Sequence, residues 1–295
     1  MGIKLSPLFK KYYKAIKSCS VSEFSGKVVG VDASIYCYKF CYNHISKTQN
    51  SHIDGFFKLI TNLYKNNIKV IIVFDGQVPE IKKHTIEKRH EKLMNVISNN
   101  ANTKCLIEFP PSLFDDIKTL CNYLQIPTLT ANYEADMLLK KLYIDKKIDF
   151  IISEDMDTLM NGCNLLCKYS YTNNITYIDI QLLLDELNIT YDKFIEICLL
   201  AGTDYTKTKV KGVGIITAYK KISNNLKLDD IVQNENIEEY LSAKDYILNS
   251  YKNEPDINLD TYFNTDLINK DEIKKFLMDK CNYKQSTIDK HINYK

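Results

Sequence analysis

The chemistry open to this chain is carboxylate chemistry, because its acids recur at one kind of place. The run Phe150-Ile151-Ile152 has the length and β-branching of a buried strand, and Glu154, Asp155 and Asp157 follow it directly. The same arrangement repeats where 27–31 ends in Asp32, where 70–74 ends in Asp75-Gly76, and where 127–130 precedes Glu134 and Asp136 at the start of a helix. Residues 199–203 then lead into Asp204. A single acid after a strand is an ordinary turn or capping residue. Seven of them, Asp32, Asp75, Glu134, Asp136, Asp155, Asp157 and Asp204, exceed what capping requires, and a pool of that size cannot stay ionised without cations. An all-oxygen donor set fits a hard cation such as Mg²⁺ better than zinc.

Positioning these acids takes an open parallel sheet, since ligands of such sheets bind outside the carboxyl ends of the strands. Helical periodicity over 34–43, 54–66, 111–124, 134–143, 181–187 and 191–200 separates the strand runs. The chain therefore reads as α/β, a central, mostly parallel sheet flanked by helices. The spacing also predicts a helix over 6–18, with Ser6 as N-cap and Pro7 at the first position. The helix over 34–43 carries Tyr36, Tyr38, Phe40 and Tyr42, an aromatic density that suits a core or a base-stacking platform. Residues 80–95 are crowded with Lys82, Lys83, Lys88, Arg89 and Lys92 and read as an exposed segment, followed by a loop over 98–104. A β-hairpin is expected over 167–177.

Over 207–221, Gly212-Val213-Gly214 opens a helix among Lys207, Lys209, Lys211, Lys220 and Lys221. Glycines there let the backbone amides approach a phosphate, and the lysines suit a non-specific clamp on a DNA backbone. From 228 onward the helical segments 237–251 and 271–281 carry no acidic or catalytic pattern.

At 295 residues and 45% hydrophobic content, the chain suits one large α/β unit with insertions or two closely joined ones. Three regions are expected: 1–110 as an N-terminal unit with the basic segment at about 80–110, 111–227 as an internal unit with the glycine element at about 191–222, and 228–295 as a helical extension. No run approaches the roughly 18 apolar residues of a membrane span, and the N-terminus lacks a signal-peptide core, so an intracellular protein with no membrane partner is expected. Nine cysteines without a Cys-x-x-Cys pair, beside five histidines, read as reduced thiols. A net charge of +2 does not announce a nucleic-acid protein, but acids pooled in one site leave lysines elsewhere in excess.

The motifs Met1-Gly2-Ile3-Lys4, Val31-Asp32-Ala33-Ser34, Val73-Phe74-Asp75-Gly76, Tyr133-Glu134-Ala135-Asp136, Ser153-Glu154-Asp155-Met156-Asp157, Gly202-Thr203-Asp204-Tyr205 and Gly212-Val213-Gly214 stand in the order of the flap endonuclease, or XPG-like, family. The chain resembles that family over nearly its full length. The resemblance implies a PIN-like nuclease fold with a helical arch over the site and a helix-two-turn-helix element. It implies two Mg²⁺ per chain, replaceable by Mn²⁺, one served by Asp32, Asp75, Glu134 and Asp136 and the other by Asp155, Asp157 and Asp204. It gives Lys82 and Arg89 the role of cations facing the scissile phosphate, Tyr38 that of stacking on a terminal base, and Gly2, Gly202, Lys209, Lys211, Gly212 and Gly214 that of DNA contacts, often with K⁺ at the glycine element.

The implied function is a metal-dependent, structure-specific endonuclease for 5′-flapped or branched duplex DNA, with 5′→3′ exonuclease activity, in replication, repair or recombination. A monomer is expected, acting in the nucleus, or the host nucleus for a viral member, with a cytoplasmic replication site as alternative. The chain departs from the family pattern in having Asp136 where a second glutamate is usual, Ile215, Ile216 and Thr217 after Gly214, and a shorter stretch between Asp75 and Glu134. It also carries His291 and Ile292 where a sliding-clamp peptide begun by Gln285 and Ile288 needs aromatics. A junction resolvase or 5′ exonuclease of the same superfamily, a PIN-type ribonuclease and an inert DNA-binding factor are the rival readings; the ribonuclease has no use for the glycine clamp.

Overall fold

The structure, a computed structural model, describes residues 3–43, 50–98, 110–168, 174–232, 236–259 and 269–292. Its centre is a sheet of strands β1 (Ile16–Ser20), β2 (Val28–Asp32), β3 (Lys69–Phe74), β4 (Thr128–Thr130), β5 (Phe150–Ile152), β6 (Leu165–Cys167) and β7 (Asn174–Ile178), in the order β1-β7-β6-β5-β2-β3-β4. The pairs from β6 across to β4 are parallel, and β7 runs antiparallel to both β6 and β1. Around it lie α1 (Ser6–Phe9), α2 (Ala33–Asn43), α3 (Ser51–Lys65), α4 (Lys83–Ser98), α5 (Leu113–Tyr123), α6 (Ala135–Ile144) and α7 (Asp157–Met160). The second half adds α8 (Ile180–Leu187), α9 (Tyr191–Ala201), α10 (Ile215–Ser223), α11 (Leu228–Ile231), α12 (Ile237–Asn249), α13 (Lys270–Cys281) and α14 (Gln285–Ile292).

Alternation along β3 sets the layers. Val70, Ile72 and Phe74 point into a core shared with α2, α3, α5, α13 and α14, while Ile71 and Val73 point to the opposite face, against Leu138, Leu139 and Leu142 of α6. Gly30 in β2 is explained by that second face, because a Cβ there would meet Leu139 Cδ2 at 2.4 Å and Ile148 Cδ1 at 2.9 Å. The missing side chain lets α6 seat directly on the sheet. A third core joins α1, α8, α9, α10 and α12 to Leu165 and Cys167 of β6 and Ile178 of β7. Strands from 1–110 and from 111–227 interleave in one sheet, with β2 between β5 and β3, and α13 and α14 return from 228–295 to pack on α3 and α5.

The helix expected over 6–18 is a correction. Only Ser6–Phe9 is helical, with Leu5 rather than Ser6 at the N-cap position, and Ile16–Ser20 is an edge strand pairing with β7 from Ile16↔Ile178 to Ser20↔Asn174. Ser18, Cys19, Ser20 and Val21 are weak helix formers, and the sheet edge supplies hydrogen-bond partners that a surface helix would not improve on. The hairpin expected over 167–177 is the β6–β7 pair, although its tip at 169–173 lies outside the described residues. The far part of the basic segment, 99–109, which includes most of the loop expected at 98–104, also lies outside them. Its described part is a single 3-10 turn, Glu80–Lys82, running into α4. Gln285–Ile292 forms α14, whose Ile288 and Ile292 are buried in the first core, while the His291 ring lies 5.4 Å from Phe57. The eight cysteines among the described residues are free thiols. No helix among the described residues is long and apolar enough to cross a membrane.

Candidate active site

Four parallel strands deliver acids to the same end of the sheet. Asp32 is the last residue of β2, Asp75 follows β3, Glu134 is the N-cap residue of α6 just after β4 with Asp136 in that helix's first turn, and Asp155 stands between β5 and α7, whose first residue is Asp157. Asp204 joins them from the turn after α9. A cleft of about 570 Å³ is lined by Asp32, Asp75, Glu134, Asp136, Asp155 and Asp204 together with Lys82, Arg89 and Tyr38. Asp157 lies just behind it, its backbone N–H donating to Asp155 Oδ1 at 3.0 Å and its own Oδ1 accepting from the Ile3 N–H at 2.9 Å. A larger hollow of about 750 Å³ adjoins the cleft at Gln77, Val78, Pro79 and Tyr133, but its only acids are Glu80 and Asp245.

Backbone groups hold the acids in place. Asp75 Oδ1 accepts from the Ala135 N–H at 2.9 Å and Oδ2 from the Ser34 hydroxyl at 2.5 Å, which ties β3 to the starts of α6 and α2. Gly76 is required at the next position, because a Cβ would sit 2.0 Å from the Ala131 carbonyl oxygen. The approach lets Gly76 and Gln77 donate their N–H groups to Tyr133 and Asn132. Glu154, the first acid of the Ser153–Asp157 run, turns away to pair with Lys39 at 2.5 Å and to meet the Tyr36 hydroxyl at 3.4 Å.

Electrostatics mark the site as short of positive charge. Burial, and then the neighbouring Asp75, pushes the Asp32 carboxyl up to about 7. Burial and Asp155 do the same to Asp157, also to about 7, and burial with Asp32 and Asp155 raises Asp136 well above the usual carboxylate range. Asp136 is half-buried as a residue, yet its Oδ1 is sealed from solvent without a hydrogen-bond partner. Two side-chain cations from the basic segment compensate part of this. Lys82 pairs with Glu134 Oε1 and lies 4.2 Å from the centre of the Tyr205 ring, and Arg89 pairs with Asp204 Oδ2. Burial alone would lower the Lys82 pKa, but Glu134, Asp136 and Asp157 outweigh it and raise it. Thr85 and Lys88 fix α4 over the cleft by donating to the carbonyls of Asp204 at 2.9 Å and Lys207 at 3.0 Å.

Among the described residues, no three His, Cys, Asp or Glu side chains converge closely enough to cage an ion. The donor set nonetheless fits a hard cation: it is all oxygen, it includes the orphaned Asp136 Oδ1, and Lys82 and Arg89 draw Glu134 and Asp204 to themselves.

Of the expected aromatic contacts, Tyr36 and Phe40 are core, while Tyr38 is 42% exposed at the rim of the cleft. Gly202, Lys209, Lys211, Gly212 and Gly214 gather instead around the α9–α10 turn. Gly202 has φ +98° with the Lys209 side chain laid over it, 2.6 Å from where a Cβ would be, and Gly212 has φ +74°. Gly214 is the N-cap residue of α10, and Lys209 and Lys211 are exposed. Gly2 lies outside the described residues. Sequence reasoning missed Tyr205 and Tyr246, whose hydroxyls reach Glu134 Oε2 at 3.3 and 3.0 Å. Tyr205 was signalled by its place beside Asp204, whereas nothing local marks Tyr246.

The architecture, a mixed seven-stranded sheet with acids gathered at its carboxyl edge, is a PIN-like α/β fold. The solved catalytic core of Rad2, in complex with a DNA substrate, superposes on it with a TM-score of 0.75 at 23% identity over 99% of both chains. Residues 1–95 match the XPG N-terminal domain and 125–204 the XPG I-region. Flap endonuclease 1 of Entamoeba histolytica is 30% identical over 99% of this chain and 86% of its own length, and that of Theileria annulata is 30% identical over 99% of this chain. The chain spans 63% of the length of the Theileria relative. The chain belongs to the XPG family of flap endonucleases.

Proposed function

We propose that the protein is a Mg²⁺-dependent, structure-specific DNA endonuclease that cuts 5′-flapped or branched duplexes, with 5′→3′ exonuclease activity, in replication, repair or recombination. The observation that carries this reading is the cleft at the carboxyl ends of β2, β3, β4 and β5, where acids from four strands and one turn meet Lys82 and Arg89. Asp32, Asp75, Glu134 and Asp136 would hold one Mg²⁺ and Asp155, Asp157 and Asp204 a second, with Mn²⁺ as a substitute. When bound, the ions supply Lewis-acid polarisation of the phosphate and activation of a water.

The chain's own residues supply the rest. Lys82 and Arg89 leave Glu134 and Asp204 for the phosphate oxygens, where fixed cations act on charge as it develops. Tyr38, at the rim, stacks on an end base. Lys209, Lys211 and the amides after Gly212 and Gly214 grip the duplex backbone, with K⁺ as a further ligand of that turn. The protein acts as a monomer, in a nucleus or at a cytoplasmic replication site.

The test is cleavage of an end-labelled 5′-flap by the purified chain in Mg²⁺ and in EDTA, beside a nicked duplex and a four-way junction. Flap incision in Mg²⁺ alone is expected. Duplex binding with no incision of any substrate would leave an inert DNA-binding factor instead, and preference for the four-way junction would make it a resolvase.

A further inference from the structure

The segment after 228, which carries no catalytic pattern in sequence, makes a converging set of polar contacts to the stretch that bears Glu134 and Asp136. Tyr246 on α12 donates its hydroxyl to Glu134 Oε2. The next residue, Ile247, offers its carbonyl to Lys140 Nζ on α6 at 2.5 Å. That carbonyl is one of the last four of α12, which have no partner within the helix, so the lysine caps α12 and binds it to α6 together. Lys140 is 3% exposed, lies 5.0 Å from the Tyr251 ring centre and 5.8 Å from that of Tyr191, and pairs with no carboxylate among the described residues. A little further on, Glu254, 5% exposed, accepts from the backbone N–H groups of Asn132 at 2.8 Å and Tyr133 at 3.4 Å. The Asn132 side chain returns a bond to the Asn253 carbonyl at 2.8 Å. Asn132 and Tyr133 immediately precede Glu134.

We propose that residues 246–254 form a brace in which Tyr246 and Glu254 are positioning residues for Glu134 and thereby set the affinity of the site for its divalent cation. The inference rests on the metal-dependent reading above. With Oε2 occupied by the Tyr205 and Tyr246 hydroxyls, Glu134 presents Oε1 to the cleft, where Lys82 now meets it. Both hydroxyls hold that oxygen away from the cleft, and the Glu254 clamp on the preceding loop fixes where the Glu134 backbone starts. Partners of this kind, behind the groups that touch the ion, are typically worth roughly ten- to a hundredfold in metal affinity.

The test is a Mn²⁺ titration of the full chain without DNA, followed by electron paramagnetic resonance, on the wild type, Tyr246→Phe, Glu254→Gln and Tyr240→Phe. Tyr240 shares the helix, but its hydroxyl donates to the Thr208 carbonyl at 3.1 Å, away from Glu134, so it reports any general effect of losing a hydroxyl from α12. Tyr246→Phe is expected to weaken Mn²⁺ binding roughly tenfold with its melting temperature in EDTA unchanged. Glu254→Gln should shift affinity the same way and Tyr240→Phe should leave it alone. Wild-type affinity in both Tyr246→Phe and Glu254→Gln, or equal weakening in all three variants, overturns the brace. A wild type that binds no Mn²⁺ overturns the metal reading itself, which distinguishes the two failures.

Discussion

Stripping divalent cations from this protein should make its stability depend on pH in a way the loaded protein does not share. Asp32 and Asp157 are each raised from the ordinary 3.8 to about 7, and Asp136 is raised as well, in every case chiefly by burial. A carboxyl whose folded pKa lies above its unfolded one keeps more protons in the native state. Its contribution to stability is complete below about 4 and is lost as pH rises through about 7. One such shift of about 3 units corresponds to ~4 kcal/mol, of which the portion above pH 5 is about 3 kcal/mol. Against a typical total of 5–15 kcal/mol, charging Asp32 and Asp157 without a cation would take away a large share of the stability. At ~2 °C per kcal/mol for a chain of this size, one carboxylate alone is worth roughly 6 °C.

The assay is differential scanning calorimetry at intervals from pH 5 to 8, in EDTA and in Mg²⁺. The melting temperature in EDTA should fall relative to that in Mg²⁺ as pH rises, so that the gap between the curves widens. Buried His52 titrates in the opposite sense, because burial lowers its pKa and its stability contribution grows with pH, but it is common to both curves and cancels in the gap. Asp136→Asn should narrow the gap, since it removes one of the three charges. Parallel curves, with a gap independent of pH, would mean that these carboxylates bind no cation and would refute the reasoning.

Three further outcomes follow from particular contacts. Arg89→Ala should lower the single-turnover rate on a 5′-flap by roughly a hundredfold, about 3 kcal/mol, with little change in substrate affinity, because the guanidinium now paired with Asp204 is expected to act in the chemical step; a loss confined to affinity would return α4 to a solvated helix face. Replacing Lys209 and Lys211 together by Ala should flatten the salt dependence of duplex binding by about one to two units of slope, as two lost phosphate contacts require, and an unchanged slope would exclude them from the backbone clamp. Lys140, lowered to about 8 by burial, holds fewer protons in the native than in the unfolded state up to about 10.5, so native stability rises with pH across that window and the full cost stands at pH 7. Lys140→Met removes that pH-dependent cost together with the bond to the Ile247 carbonyl, so the variant should compare better with the wild type at pH 7 than near pH 10, which thermal melts at the two pH values will decide.

What could be read from the sequence, and what could not, divides by the range of the interaction. The acids of the cleft were legible because a short apolar run ending in Asp is a local pattern, and it repeats at β2, β3 and β5. Lys82 and Arg89 stand in a basic run that by itself reads as an exposed segment, and it was the family resemblance that singled them out from its other cations. Residues 6–18 misled because their apolar spacing is compatible with a helix, whereas the decision was made by β7, whose Ile178 pairs with Ile16 across the whole first half of the chain. Glycine 30 could be seen to interrupt a strand, but the reason, the Leu139 side chain seated on it, belongs to a helix folded over the sheet from far along the sequence. Tyr246 and Glu254 carry the argument furthest: neither has a motif, and each acquires its role only because α12 and the turn after it pack against α6, so that a hydroxyl and a carboxylate from a polar tail meet the loop that ends in Glu134. A ligand to a metal can be recognised by its own residue type and spacing, but the groups that aim it are chosen by tertiary packing. Those groups are where two chains with acids at the same strand ends have room to differ in metal affinity.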